Sequence, residues 1–181
     1  MKVLLPNQIA NKATDIEFSV LAELGIRGLL LDLDNTLVKY DSDELGLEFK
    51  TWIDTARAQG FKICLVSNGR PRRVRYFAKS IGIPAVIRAF KPKRSPFWRA
   101  LEILDLMPHE VAMVGDQLFT DVLGANRLGI YTILINPLSE KEFGTTRMVR
   151  KIEKRMLRRF VKKGLIGAEM VNKRNGGAEE H

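Results

Sequence analysis

Two aspartates separated by a single residue follow a short aliphatic run in the segment GLLLDLDNTLVKY, which begins at Gly28. Two carboxylates about 4–6 Å apart repel each other, so one of them would retain a proton unless a cation lay between them. Mg²⁺ is a hard cation that prefers oxygen ligands, and it would remove this repulsion. Asp32 and Asp34 therefore predict a site that combines carboxylate chemistry with a bound Mg²⁺ ion.

Two more aspartates follow a later aliphatic run. Asp116 comes directly after residues 111–115, and Asp121 stands five residues further on, at the head of a predicted helix. An aspartate after a strand is also a common turn or helix-capping residue, and this structural role stays open for Asp121. A group of such acids is more typical of a functional site, where perturbed carboxyl groups cluster.

Three other polar residues are candidates for binding an anion. Ser67 and Asn68 end a second aliphatic run, where a hydroxyl and backbone N–H groups could hold a phosphate oxygen. Ser-Asn-Gly is also an ordinary turn signal, so the structural alternative remains. Lys91 could neutralise a phosphate and screen the acids. The alternative for Lys91 is a solvated side chain, and Lys93 and Arg94 are its rivals.

The elements around these residues must bring them together. Apolar runs predict buried strands at 28–33, 61–66, 85–87, 111–115 and 130–135, with helices at 44–59, 71–80, 95–106 and 120–128. A first helix is predicted between a cap at Thr14 or Asp15 and Gly25, and residues 1–11 are predicted to be loop. This alternation predicts an α/β fold with a doubly wound parallel sheet. Because ligands bind beyond the carboxyl ends of parallel strands, we expect the polar residues to meet at one edge.

Length and composition limit the class of protein. The 181 residues, 45% of them hydrophobic, suffice for one domain with a substantial core. The single cysteine, Cys64, cannot form an intrachain disulfide, which suits a reducing cytosol. No signal-peptide pattern and no apolar run of roughly 18 residues is found. We expect a cytoplasmic protein that could be peripheral on the membrane, with no indication of its oligomeric state.

The basic character of the chain lies mainly in one segment. Residues 145–163 contain nine Lys or Arg and one acid, and so carry +8 of the net charge of +9. Apolar residues three and four positions apart give this segment one apolar face: Met148, Val149, Ile152, Met156, Leu157, Phe160 and Val161. Such a helix could lie on an anionic membrane, pack on the domain with a solvated basic face, or bind RNA. The predicted contacts with a membrane or polyanion are Arg150, Lys154, Arg158 and Arg159.

Four segments together resemble the motifs of haloacid dehalogenase-like (HAD) phosphatases, in the same order. They are DLDNTL at 32–37, Ser67-Asn68, Lys91-Pro92, and GDQLFTD at 115–121. More narrowly, the chain resembles the YqeG-type branch of subfamily IIIA, which is related to phosphatidylglycerophosphate phosphatases. The resemblance implies a HAD-like Rossmannoid domain at 1–140, followed by a basic amphipathic helical extension at 141–171. Residues 172–181 are expected to be a disordered tail.

The resemblance also implies a role for each residue. Asp32 would be the nucleophile that forms an aspartyl-phosphate, and Asp34 the general acid and base. Ser67 and Lys91 would hold the phosphoryl group. Further phosphate contacts are implied for Leu33, Asn35, Thr36 and Asn68, and Mg²⁺ would bind Asp32, the backbone carbonyl of Asp34, and Asp116, with Asp121 close by.

The spacing of the motifs bears on the substrate. Asp34 and Ser67 are separated by 32 residues, and Asn68 and Lys91 by 22, so neither gap holds an inserted cap domain. The resulting open site, covered at most by a flap at 38–43, favours a phosphate carried on a lipid or macromolecule. Together with the family resemblance and the basic amphipathic segment, the open site leads us to expect a phosphatidylglycerophosphate phosphatase. The alternatives are a phosphatase for nucleic-acid ends or phosphoproteins, and a basic RNA- or ribosome-binding protein with a vestigial phosphatase core.

Overall fold

Six parallel strands form one sheet in the computed structural model, which describes residues 2–40, 42–139 and 144–167. The strands are β1 (Gln8–Ala10), β2 (Gly28–Leu31), β3 (Lys62–Ser67), β4 (Ala85–Ile87), β5 (Val111–Gly115) and β6 (Tyr131–Ile135). Their order in the sheet is β1-β6-β5-β2-β3-β4, and every neighbouring pair is parallel. The predicted doubly wound α/β fold is therefore confirmed.

The first strand corrects the prediction that residues 1–11 are loop. β1 extends the sheet beyond β6, with Gln8 opposite Ile133. The side chain of Asn7 secures this edge, because its Oδ1 accepts hydrogen bonds from the backbone N–H and the hydroxyl of Thr132, both at 2.9 Å. A three-residue strand is too short to show the alternation or apolar run by which strands are recognised.

Helices connect the strands and end close to the predicted positions. They are α1 (Phe18–Glu23), α2 (Leu47–Ala58), α3 (Pro71–Ile81), α4 (Arg94–Leu104), α5 (Leu123–Asn126) and α6 (Gly144–Lys162). The helix predicted at 120–128 is instead a π-helical turn, Leu118–Val122, that runs into α5. Asp121 contributes to this difference, because its Oδ2 accepts a hydrogen bond from the backbone N–H of Gln117 at 3.1 Å.

Two apolar layers cover the faces of the sheet. Leu29 and Leu31 of β2 belong to the layer that includes residues of α1, α2 and α3, whereas Leu30 belongs to the layer with α4 and α5. Neighbouring strand residues point to opposite faces, so a strand covered on both sides is apolar throughout. Cys64 lies in the second layer, where burial raises the pKa of its thiol to about 12.

The helix α6 packs on the domain through part of its apolar face. Leu157 and Phe160 are buried against Leu118, Val122 and Leu134. The same face is only partly used, because Met148 is 67% exposed and Ile152 is 46% exposed. None of the helices in the described residues is long and apolar enough to cross a membrane. The disordered tail predicted at 172–181 lies outside the described residues.

Candidate active site

The predicted polar residues meet at the carboxyl edge of three adjacent strands. The strand β2 lies between β3 and β5, and Leu31 is opposite both Leu65 and Val114. Asp32 directly follows β2, Ser67 is the last residue of β3, and Asp116 directly follows β5. The parallel register thus brings residues that are far apart in the sequence to one place.

Three buried aspartates form an acidic cluster at this edge, consisting of Asp32, Asp116 and Asp121. One carboxylate oxygen from each lies within 4.8 Å of the others. The hydroxyl of Thr36 lies 3.3 Å from Asp32 Oδ2 and 3.5 Å from Asp116 Oδ1. Burial, and to a smaller extent the neighbouring carboxylates of Asp121 and Asp116, together raise the pKa of Asp32 to about 8 against the lowering effect of Lys91.

The acidic cluster fits a hard divalent cation. Its donors are all carboxylate oxygens, which suit Mg²⁺ better than the softer ions that prefer nitrogen or sulfur ligands. A bound cation would also offset the repulsion that raises the pKa of Asp32. The side chain of Asp34 lies outside this group, which leaves only its backbone carbonyl for the predicted contact with the metal.

Lys91 lies inside the site and is 2% exposed at its side chain. Its Nζ is 2.7 Å from Asp32 Oδ1 and 2.7 Å from Asp121 Oδ1. Burial by itself would lower the pKa of Lys91, but the two carboxylates outweigh that effect and raise it above its ordinary value. The buried ammonium group is therefore charged, and the structure favours Lys91 over Lys93 and Arg94 as the lysine of the site.

Asn68 holds the backbone of Lys91. Its Oδ1 accepts a hydrogen bond from the Lys91 N–H at 2.8 Å, and its Nδ2 donates to the Lys91 carbonyl at 3.2 Å. The amide thereby positions the lysine, and the phosphate contact expected of Asn68 stays a prediction. Leu33, Asn35 and Thr36 are buried in the loop after β2, and their phosphate contacts also stay predictions.

The Ser67 hydroxyl, at the end of β3, and the Asp34 carboxylate both approach the backbone of Gly69 in the following turn. The hydroxyl accepts a hydrogen bond from the Gly69 N–H at 3.0 Å. A Cβ atom at position 69 would collide with Asp34 Oδ2, and one at position 115 would collide with the Asp121 carboxyl group. These two glycines therefore allow the loops to approach the acids closely.

Arg73 is a site residue that sequence reasoning missed. Its Nε donates to Asp34 Oδ1 at 2.8 Å, while its other nitrogens bind Asp43 Oδ1 at 2.9 Å and the Lys39 carbonyl at 3.0 Å. The guanidinium thus ties Asp34 to the flap at 38–43. The segment RPRRVR offers four arginines, and nothing in their spacing marks the one that faces the flap.

Arg150 differs from its predicted place on an exposed basic surface. Its guanidinium donates to Asp116 Oδ2, to the Asp116 backbone carbonyl and to Glu153 Oε2, and its side chain is 12% exposed. The structure therefore contradicts the prediction that Arg150 contacts a membrane or polyanion. The reason is that α6 docks on the turn at 118–122, which follows β5, so that the long arginine side chain reaches a buried carboxylate. Lys154, Arg158 and Arg159 are exposed.

Glu153 is the second residue of α6 that reaches the site. It is buried, and its Oε1 accepts hydrogen bonds from the backbone N–H groups of Leu118 at 2.7 Å and Phe119 at 3.3 Å. The sequence held one signal for this role, since Glu153 is the lone acid in the basic segment.

Asp32 and Asp34 open onto a cleft of about 1020 Å³. Its floor includes Asp32, Ser67 and Lys91, and Arg70 and Arg72 also line it. The described residues between β2 and β3 form the flap and α2, and those between β3 and β4 include α3. The site is therefore capless, as the motif spacing predicts.

Comparison with known proteins agrees with this arrangement. Residues 39–129 match the model of the haloacid dehalogenase-like hydrolase family. The protein named Probable phosphatase YqeG from Bacillus subtilis (strain 168) is 36% identical over 165 residues, which cover 91% of this chain and 96% of that protein.

Two further similarities are more distant. Phosphatidylglycerophosphate phosphatase 1 of Arabidopsis thaliana is 28% identical over 90% of this chain, but the chain spans only 49% of that protein. The structure of a HAD phosphatase from Thermococcus onnurineus superposes with a TM-score of 0.50 at 17% identity, covering 72% of this chain and 98% of that one. This last similarity concerns the fold alone. With the family model matched over half of its length and a relative 36% identical over most of it, the chain belongs to the haloacid dehalogenase-like hydrolases and is a phosphatase of that family.

Proposed function

We propose that the protein is a Mg²⁺-dependent phosphomonoester hydrolase that acts through an aspartyl-phosphate on Asp32. The observation that supports this most directly is the buried arrangement of Asp32 between Lys91 and the carboxylates of Asp116 and Asp121. An anionic nucleophile must approach an anionic phosphate, so the repulsion between them has to be cancelled. Mg²⁺ held by Asp32, the Asp34 carbonyl and Asp116 would supply positive charge there, and Lys91 supplies it from the protein.

The reaction proceeds in two steps, in which Asp32 and Asp34 take part. The Asp32 carboxylate attacks phosphorus, and the bond from phosphorus to the alcohol oxygen breaks. Asp34 donates a proton to the departing alkoxide, then removes a proton from the water that cleaves the aspartyl-phosphate and releases inorganic phosphate. Ser67 lines the same cleft as both acids and would hold the phosphoryl group, and Arg73 would orient Asp34 for its proton transfers.

We further propose that the phosphate is carried on a lipid, phosphatidylglycerophosphate, and that the product is phosphatidylglycerol. The capless cleft supports this, because a phosphate attached to a surface can enter it. The exposed basic residues Lys154, Arg158 and Arg159, together with the exposed Met148 and Ile152, suit an anionic interface. The Arabidopsis relative carries the name of this activity. In this proposal the protein is cytoplasmic and binds the membrane peripherally.

The test is a phosphate-release assay with purified protein and Mg²⁺. The lipid is presented in detergent micelles beside a nucleotide, a sugar phosphate, a phosphopeptide and an RNA with a terminal phosphate. We expect the lipid to be hydrolysed fastest and the Asp32→Asn variant to be inactive on every substrate. A faster reaction on RNA or phosphopeptide would overturn the lipid proposal. No release above Asp32→Asn on any substrate would overturn the phosphatase mechanism.

A further inference from the structure

The helix α6 reaches the acidic cluster through two side chains that the four motifs do not include. Arg150 and Glu153 lie three residues apart on α6, and their side chains contact each other at 3.2 Å. Between them they contact Asp116 and the backbone that follows it. These contacts bear on how Asp116 would bind a cation.

The two carboxylate oxygens of Asp116 have different surroundings. Oδ1 lies 3.5 Å from the Thr36 hydroxyl, which in turn lies 3.3 Å from Asp32 Oδ2. Oδ2 accepts from Arg150 instead. The guanidinium also donates to the Asp116 backbone carbonyl, so it holds both the side chain and the main chain of one residue. A planar guanidinium presents separate nitrogens to the two acceptors in a fixed geometry, which the single, shorter-reaching ammonium group of a lysine at this position would not reproduce.

Glu153 holds the same loop from the other side. Its Oε1 accepts from the N–H groups of Leu118 and Phe119, which open the π-helical turn that carries Asp121. Its Oε2 accepts from Arg150. Breaking a buried pair by removing one partner leaves an uncompensated charge, so each member depends on the other.

The position of α6 is set by apolar packing on the face that carries Glu153. Leu157 and Phe160, four and seven residues further on, are buried against Leu118 and Val122 of the same turn. Residues four and seven apart lie on one side of a helix. The helix and the loop from 116 to 122 therefore pack as one unit, with the acidic cluster at its end.

We propose that Arg150 and Glu153 are positioning residues that hold the Asp116 carboxylate with Oδ1 directed to the cation, and thereby set the affinity of the site for a divalent metal. This inference rests on the metal site of the proposed function. It adds that the C-terminal helix belongs to the active site. The rival is that Arg150 acts as an internal cation that competes with the metal for Asp116.

The experiment is a titration of the full chain with Mn²⁺, in which free Mn²⁺ is measured by electron paramagnetic resonance. The informative variant is Arg150→Lys, because it keeps the positive charge but loses the two-point contact. Substituting a group that orients a metal ligand typically weakens metal binding 10–100-fold. We therefore expect Arg150→Lys to bind Mn²⁺ at least about tenfold more weakly than the wild type. Arg158→Lys on the exposed side of α6 is the matched control and should bind as the wild type does. Glu153→Gln is a second variant, which removes the charge that pairs with Arg150, and it should also weaken Mn²⁺ binding.

The outcomes separate this inference from the proposed function. Wild-type affinity in Arg150→Lys and Glu153→Gln would overturn the positioning role while leaving the metal site intact. Tighter binding by Arg150→Lys would overturn it in favour of competition. No Mn²⁺ binding by the wild type, with the same result for Asp116→Asn, would overturn the proposed metal site and this inference with it. Thermal unfolding without metal confirms that each variant is folded before its affinity is compared.

Discussion

Two cations, one buried and one partly buried, lie at the same edge of the sheet, and they come from different elements of the fold. Lys91 pairs with Asp32 and Asp121, and we call these three residues the lysine cluster. Arg150 pairs with Asp116 and Glu153, which form the arginine cluster. Lys91 follows the sheet strand β4, whereas Arg150 comes from α6, after the last strand of the sheet.

The difference separates the parts of the site that perform the chemistry from the part that supports it. The lysine cluster contains the proposed nucleophile and opens to the cleft. In the arginine cluster, Arg150 and Glu153 connect Asp116 and the turn after it to the packed face of α6. A family motif can therefore identify the reacting groups and still omit a helix that holds one of them in place.

The largest expected effect comes from breaking the lysine cluster with Lys91→Ala. The variant leaves two buried carboxylates without their cation, so activity should fall at least about 1000-fold, and the free energy of unfolding should fall by about 3–5 kcal/mol. Phosphate release and denaturant unfolding measure the two losses. Lys93→Ala, two residues away and exposed, is the control. Activity within tenfold of wild type would contradict the role of Lys91.

The outer side of α6 should behave independently of both clusters. The triple variant Lys154→Gln, Arg158→Gln, Arg159→Gln removes three exposed charges, each worth about 1 kcal/mol near an anionic membrane. Binding to vesicles that contain anionic lipid, measured by co-sedimentation, should weaken roughly 100-fold. Hydrolysis of a small soluble phosphomonoester should be unchanged. Equal vesicle binding by the variant and the wild type would remove the membrane from the proposal.

The pH dependence of stability should reveal the raised pKa of Asp32, which is caused mainly by burial. An aspartate ordinarily titrates near 3.8, but burial raises the pKa of Asp32 to about 8 in the metal-free protein. Between these values the folded state binds a proton that the unfolded state has lost, so stability is greatest at the acidic end and decreases as pH rises. The expected loss is roughly 1 kcal/mol per pH unit.

The measurement is denaturant unfolding between pH 5.5 and 7.5. Asp32→Asn should flatten the slope because it cannot ionise, and Mg²⁺ should reduce the slope in the wild type because a bound cation stabilises the ionised carboxylates. If the free energy of unfolding of Asp32→Asn depends on pH as steeply as that of the wild type, a group other than Asp32 causes the dependence.

A smaller effect is expected from a third cation, Arg73, which holds Asp34 to the flap. In Arg73→Lys the ammonium group cannot reach all three of the acceptors that the guanidinium binds. The flap should be less ordered, and kcat/KM should fall about tenfold, since small misplacements of a reacting group are costly. Arg75→Lys, exposed on the same helix, is the matched control. An unchanged kcat/KM would show that Asp34 needs no such support.

Local patterns predicted most of the sheet and the edge at which its acids meet. Strands at 85–87 and 111–115 were predicted with the bounds that β4 and β5 have, because buried parallel strands are continuous apolar runs. Asp32 and Asp116 were candidates because each directly follows such a run, whereas the roles of Ser67 and Lys91 were predicted only through the resemblance to HAD phosphatases. The strand β1 was missed, since three residues are too few to form a pattern.

The alternating strands and helices, together with the spacing of the acids, specify the parallel sheet, the edge where ligands bind and the kind of chemistry performed there. They do so because these features depend on residues close together in the chain. Which arginines contact the acids of the site depends on how whole helices pack on the sheet. Arg73 stands among several arginines of one helix, and Arg150 among many cations of another, so sequence periodicity cannot single them out. Their roles follow from which side of each helix the apolar packing turns toward the buried acids.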